Sequence, residues 1–237
     1  MPKKKLKKSI FRLILKWTGL LLFVFLILSV FQVALLRWVD PWFTVMSAGQ
    51  WICHAAGGAD PAPRMVWRPL EEISPHIQKA VLAGEDQRFL SHNGFDFVEI
   101  QEAVKEMVSK RGFRGASTVT MQTARTVFLW PARSLLRKAL EVYYTVLIEI
   151  FWNKERILEI YLNTVDWGKR VMGVEVASQH YFHVSAAHLS RRQAALLAAI
   201  LPSPHRWSPT HPGPETTRRQ QRILRNMDRM PLVRPEK

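Results

Sequence analysis

Apolar and polar positions divide the chain into one long uncharged run followed by a series of shorter helical stripes. From Trp17 to Leu36 the sequence WTGLLLFVFLILSVFQVALL holds twenty residues without a formal charge. At 1.5 Å rise per residue this run spans about 30 Å, the thickness of a bilayer's hydrocarbon core. Its polar members, Thr18, Ser29 and Gln32, are all tolerated in a helix, and Trp17, Trp38 and Trp42 fall where interfacial aromatics belong. A cleaved signal peptide has a shorter apolar stretch of about 7–15 residues and a small-x-small exit. Here the run is longer and leaves through Leu35, Leu36, Arg37 and Trp38, so a retained transmembrane helix is expected.

Beyond the anchor, residues 37–70 are rich in Trp, Pro and Gly, with Gly57–Gly58 and Pro61, Pro63 and Pro69, and read as a loop or short extended segment near the membrane. After that the punctuation is helical. Ser74 before Pro75 is an N-cap with proline at the first helical position, opening a helix to about Gly84. Asp96 with Glu99 starts the next, followed by Phe97, Ile100, Val104, Met107 and Val108 at helical spacing. Ser117 is expected to cap a third helix through Leu129, which Pro131 ends. Residues 133–152 carry an apolar stripe of Leu136, Leu140, Tyr143, Leu147, Ile150 and Phe151. Asn153 restarts a helix through Leu162, and Ser190 with Gln193 opens one that Pro202 closes. Sustained period-2 alternation is missing, so the fold class expected is mainly α. The expected boundaries are a basic segment 1–16, a transmembrane helix 17–36, a membrane-proximal linker 37–67 and a domain 68–237.

Charge sharpens this layout. The net charge is +15, but seven Lys/Arg and no acid lie in the first 16 residues, leaving 27 basic against 19 acidic residues for the rest. That distribution fits an N-terminus held in the cytoplasm and a domain facing an anionic lipid surface or a phosphorylated substrate, rather than nucleic acid. The single cysteine, Cys53, excludes an intrachain disulfide and a cysteine-rich zinc site. His180 and His183, spaced i, i+3, have no third or fourth metal ligand nearby in sequence.

Three polar clusters carry candidate chemistry. In EDQRFLSHNGFD, residues 85–96, Glu85 and Asp86 end an apolar helix ahead of a turn at His92, Asn93 and Gly94. Carboxylates there meet the negative end of the helix dipole, a placement that suits a general acid or base, although a solvated acidic turn has the same spacing. In RGASTVTMQTAR, residues 114–125, a glycine and hydroxyl run opens a helix whose free N–H groups could receive phosphate, with Ser117, Gln122 and Arg125 as side-chain donors; a plain capped helix is the alternative. In RSLLRKALE, Arg133, Arg137 and Glu141 share a helix face at i, i+4 and i+8, flanked by Lys138. Such a stripe can neutralise a pyrophosphate, and a salt-bridged surface helix reads identically. The arginines Arg218, Arg219, Arg222, Arg225 and Arg229 form a basic C-terminal helix, read as a solvated or lipid-facing surface.

EDQRFLSHNGFD, GASTVTMQ, RKALE and KERILEIYLN occur in that order and together resemble the successive motifs of the monofunctional peptidoglycan glycosyltransferases. The resemblance extends through VASQHYF, LSRRQAALLAAILPSP and RWSPT, covering roughly residues 68–210. Met121 stands where the family usually has the first of two glutamines, Lys169 and Arg170 where Pro-Gly is common, and Gln193 where Glu is frequent. The resemblance implies a two-lobed, lysozyme-like α-helical domain, with a smaller lobe around residues 97–130. It implies an enzyme of the bacterial inner membrane, single-pass, with its catalytic domain in the periplasm, that polymerises lipid II into glycan strands with inversion at the anomeric carbon.

Residue by residue, Glu85 matches the family's catalytic base and Glu141 its second essential acid. Ser117, Gln122, Arg125, Arg133, Arg137 and Lys138 fall on the substrate side, with Asp86 orienting its neighbours; Glu159, Tyr161 and Asn163 match a motif whose role is structural. The implied partners are lipid II, the growing strand, membrane lipid, and cell-wall synthesis and division proteins. No tightly bound cofactor is implied, while a divalent cation, Mg2+ or Mn2+, is compatible with the pyrophosphate. Two other classes fit parts of the pattern: a lysozyme-like lytic glycan cleaver and a non-catalytic scaffold for cell-wall synthesis. A bifunctional penicillin-binding protein is disfavoured, since no Ser-x-x-Lys occurs.

Overall fold

A computed structural model describes residues 2–55, 65–109, 115–132 and 134–233, with the backbone alone for residues 2–10, 50, 53 and 54. Gly57, Gly58, Pro61, Pro63 and Arg133 lie outside the described residues. The chain forms two units, 1–39 and 40–237. The first is essentially one helix, α1 (Pro2–Leu35), which runs on from the basic segment into the apolar run. Within it Phe11–Leu35 is long and apolar enough to cross a membrane, with most side chains exposed. This fits a single-pass anchor.

Among the described residues the second unit is mainly helical. It contains α2 (Val45–Ala55), α3 (Pro75–Glu85), α4 (Phe97–Val108), α5 (Val119–Phe128), α6 (Leu135–Phe151), α7 (Lys154–Thr164), α8 (Val174–Phe182), α9 (Arg191–Ile200) and α10 (Pro214–Asn226). Among the described residues there is no strand, and one antiparallel bridge joins Asp166 to Met172. The mainly α expectation therefore holds. The stretch read as a loop contains α2, which packs against α5; the helix draws on that tertiary contact, which local Trp and Gly content does not register.

Most starts follow local chemistry. Ser74 accepts from His76 N ahead of Pro75, Asp96 accepts from Val98 and Glu99 N, and Asn153 accepts from Arg156 N. Ser190 and Gln193 form a full capping box on α9. At α5 the cap is Thr118 rather than Ser117: its hydroxyl accepts from Met121 N and donates to Gly94 O (2.6 Å), which pins the helix start to the 92–94 turn.

Two packed groups make the core. α3 lies on α9 and α10, and α5 lies on α6 and α7. The first contact is close because alanines line it: Ala80 and Ala83 on α3, and Ala194, Ala195, Ala198 and Ala199 on α9, are all buried. The second is aromatic, with Phe128 stacked on Tyr144 at 4.5 Å between ring centroids and Trp152 beside it. Glu159 and Asn163 are structural, as expected. Leu70 N donates to Glu159 Oε2, Arg68 N to Asn163 Oδ1 and Asn163 Nδ2 to Arg68 O, each at 2.8 Å, sewing the chain entering the domain onto α7.

The apolar stripe of α4 is not a core face, and of the stripe expected on α6 only Leu147 is buried. On α4 only Ala103 is buried, while Phe97, Val104, Met107 and Val108 are exposed. On α6 the buried positions are Glu141, Tyr144, Thr145, Leu147 and Ile148. Leu135, Leu136, Val142, Val146 and Ile150 face outward. Periodicity reveals a stripe but not what covers it.

Candidate active site

α3 delivers Glu85 at its last turn because its apolar residues Ile77, Val81 and Leu82 are buried and fix its axis. The side chain emerges beside a cleft of about 640 Å³ lined by Glu85, Asp86, Asp96, Glu99, Glu106, Ser117, Gln122, Arg219 and Arg222, together with Gly84, Gly115 and Ala116. Two groups hold the Glu85 carboxylate. Arg219 Nη2 lies 2.5 Å from Oε1 and also donates to Gly84 O, and Gln122 Nε2 donates to Oε2 at 2.9 Å. The guanidinium offsets the unfavourable helix-end position of this acid. Each carboxylate oxygen keeps a second lone pair.

Gln122 is itself oriented. Tyr161 on α7 donates its hydroxyl to Gln122 Oε1 (3.2 Å), leaving the amide nitrogen to face Glu85. Burial, helped by the charge of Glu85, raises the Tyr161 hydroxyl well above its ordinary range. The hydroxyl therefore stays protonated, as a donor, through neutral pH. The same phenol senses Arg125 and Arg219, so Arg125 belongs to this electrostatic neighbourhood although it does not line the cleft.

Asp86 turns inward. His92 Nε2 donates to its Oδ1 (2.9 Å) and Val119 N to its Oδ2 (3.0 Å), tying the end of α3 and the 92–94 turn to the start of α5. Gly94 makes that turn with φ +82; a Cβ there would fall 2.7 Å from Thr145 Cγ2 on α6. Ser117, displaced from the cap, lines the cleft instead, and Met121 is a buried core residue where a glutamine was the family's choice.

Glu141 is 1% exposed, with Lys138 Nζ at 2.5 Å from one oxygen and Arg137 Nη1 at 2.6 Å from the other. The face that carries it also carries Tyr144 and Thr145, which meet α5 and the Gly94 turn. Glu141 thus orients two cations and does not line the cleft with Glu85. The structure brings Glu85, Asp86, Ser117 and Gln122 together, and keeps Arg137, Lys138 and Glu141 as a second group on α6.

Arg219 is the residue the sequence reading missed, having been placed with the solvated arginines. Its signal was available: on α10, Thr216, Gln220 and Ile223 are buried, and Arg219 borders that face whereas Arg218, Arg222 and Arg225 do not.

Asp86, His92 and Asp96 bring ligand atoms within 4.8 Å of one another. Asp86 is tied to His92 and Val119 N, and Asp96 to the N-terminus of α4 with Arg88 Nε 3.4 Å from its Oδ2, while Asp96 Oδ2 and His92 Nδ1 have no hydrogen-bond partner among the described residues. These contacts tie the end of α3 and the 92–94 turn to the starts of α4 and α5.

Comparison with known proteins identifies relatives over most of the chain. A family model described as Transglycosylase matches residues 56–228. A biosynthetic peptidoglycan transglycosylase of Bacteroides thetaiotaomicron is 42% identical over 222 residues, 94% of this chain and 90% of that one. One from Ectopseudomonas mendocina is 44% identical over 224 residues with the same coverage. A third, from Caulobacter vibrioides, is 44% identical over 208 residues, 86% of this chain and 88% of its own.

Proposed function

This chain belongs to the transglycosylase family of peptidoglycan-synthesising enzymes, and on that premise we propose that Glu85 is the base with which it polymerises glycan strands. The enzyme is a peptidoglycan glycosyltransferase. It joins the 4-hydroxyl of an incoming lipid II to C1 of the MurNAc that ends the growing strand. The C1–oxygen bond to pyrophosphate breaks, the polyprenyl pyrophosphate leaves, and the anomeric centre inverts.

One base must accept the hydroxyl proton, while a pyrophosphate leaving group needs positive charge more than a proton. The observation that carries the assignment is the Glu85 carboxylate at the cleft wall, gripped by Arg219 and Gln122 with lone pairs to spare. Arg219 fixes one oxygen and so aims the carboxylate. Gln122, set by Tyr161, fixes the second oxygen, and Asp86 holds the turn without contacting substrate. Ser117 offers a hydroxyl to the sugar or phosphate.

Arg137 and Lys138, oriented by Glu141, and Arg125 supply the charge for the pyrophosphate. Arg133 is assigned the same role from sequence alone. Both Glu141 oxygens are engaged by cations, so a divalent ion at this end would come with the pyrophosphate rather than reside on the protein. Chelation should then lower the rate without lowering the melting temperature.

Seven basic residues before an apolar helix support an N-terminus in the cytoplasm and an exported domain. The outward apolar faces of α4 and α6 support a domain that lies against lipid. Incubating the full chain with lipid II and, separately, with purified sacculi tests the activity. Polymer from lipid II and no release from sacculi is the expected result; release of fragments from sacculi alone would indicate a lytic cleaver.

A further inference from the structure

The outer face of α10 carries arginines that the reaction does not use. Arg218, Arg222 and Arg225 follow at i, i+4 and i+7, and Arg229 continues the line on the turn after the helix; all are exposed. Arg218 has a loose pair with Glu215 at 3.4 Å. Arg225 and Arg229 have no ion pair among the described residues.

We infer that this stripe is a docking track for the carboxylate-bearing peptide of the incoming substrate. The inference rests on Glu85 facing the acceptor hydroxyl. Arg222 lines the same cleft as Glu85, so the stripe meets the cleft at Arg222 and runs on from it through Arg225 and Arg229. The peptide hangs from the sugar next to that one. α4 contributes acidic residues, Glu99 and Glu106, to the lining of the same cleft. An anionic peptide is therefore repelled from α4 and drawn to α10. From Arg222 to Arg229 is about 10 Å, the reach of roughly three extended residues. A membrane is the poorer partner: among the described residues, no large apolar side chain after Ile150 is exposed, and α10 offers none to insert beside its charges.

The test uses the full chain in neutral detergent with two substrates, lipid II with a free-carboxylate peptide and lipid II with every peptide carboxylate amidated. For the wild type, KM should be several-fold lower for the free-carboxylate form, and the difference should shrink as salt is added. In the R225Q/R229Q double variant the two KM values should converge. Because amidated substrate is still polymerised, turnover on it reports the enzyme's chemistry independently of the stripe. Equal KM values for the two substrates in the wild type would overturn the inference. So would variants that weaken both substrates equally, or a preference that appears only when vesicles of anionic phospholipid replace the detergent.

Discussion

A carboxylate at the end of a helix meets the negative pole of the macrodipole, and at Glu85 the compensating charge comes from Arg219, 134 residues away. Sequence reading finds Glu85 through a local motif, but no local rule joins it to α10. Arg219→Gln should therefore cut kcat by about a hundredfold in a lipid II polymerisation assay, with Arg219→Lys retaining part of the rate. Equal loss in both variants would mean that charge is not what Arg219 supplies. Tyr161 acts one step further back, through Gln122. Its hydroxyl is raised by burial and by Glu85, so it remains protonated well beyond the ordinary tyrosine value. Tyr161→Phe should then be slower by the same factor at every pH between about 6 and 9. A deficit that closes toward the alkaline end would show the phenol ionising within that range.

Elements were legible where their signals are local. The caps at Ser74, Asp96, Asn153 and the Ser190–Gln193 box each need only a few consecutive residues. The cap of α5 was misread by one position because Ser117 and Thr118 offer the same hydroxyl, and Gly94 O, distant in sequence, selects Thr118. The buried face of α6 was misread because Glu141 and Thr145 lie on it while Leu136 and Ile150 do not.

Another long-range tie sets how the second unit responds to acid. Burial alone would raise Glu175 on α8. Hydrogen bonds from Ala186 N (2.9 Å), Arg68 and Gln179 outweigh it and hold the carboxyl below its usual range. A glutamate in the unfolded chain titrates near about 4.3, so this contribution is complete above that pH and is lost as pH falls through the lower folded value. Glu175→Gln should cost about 1–3 kcal/mol in denaturant unfolding at neutral pH. The gap to wild type should narrow by about pH 3. A gap independent of pH would show that the ionised form is not what matters.

At the scale of the whole molecule, exposed apolar and exposed basic surface fall on different elements. The large exposed apolar residues of the second unit belong to the stretch ending at Ile150, including α2, α4 and α6, whereas α10 presents arginines. The anchor and the mainly helical class were legible because both follow from composition and period over many residues. How the polar clusters gather was not, since α5 meets α3 through Asp86–Val119 and Glu85–Gln122, contacts 33 and 37 residues apart. The whole account turns on one carboxylate that removes a proton. The most direct measurement is the initial rate of glycan-strand formation from lipid II by Glu85→Gln, with folding verified by thermal denaturation. The prediction is a variant that melts near wild type and is slower by at least about a thousandfold; a folded variant within tenfold of the wild-type rate would contradict it.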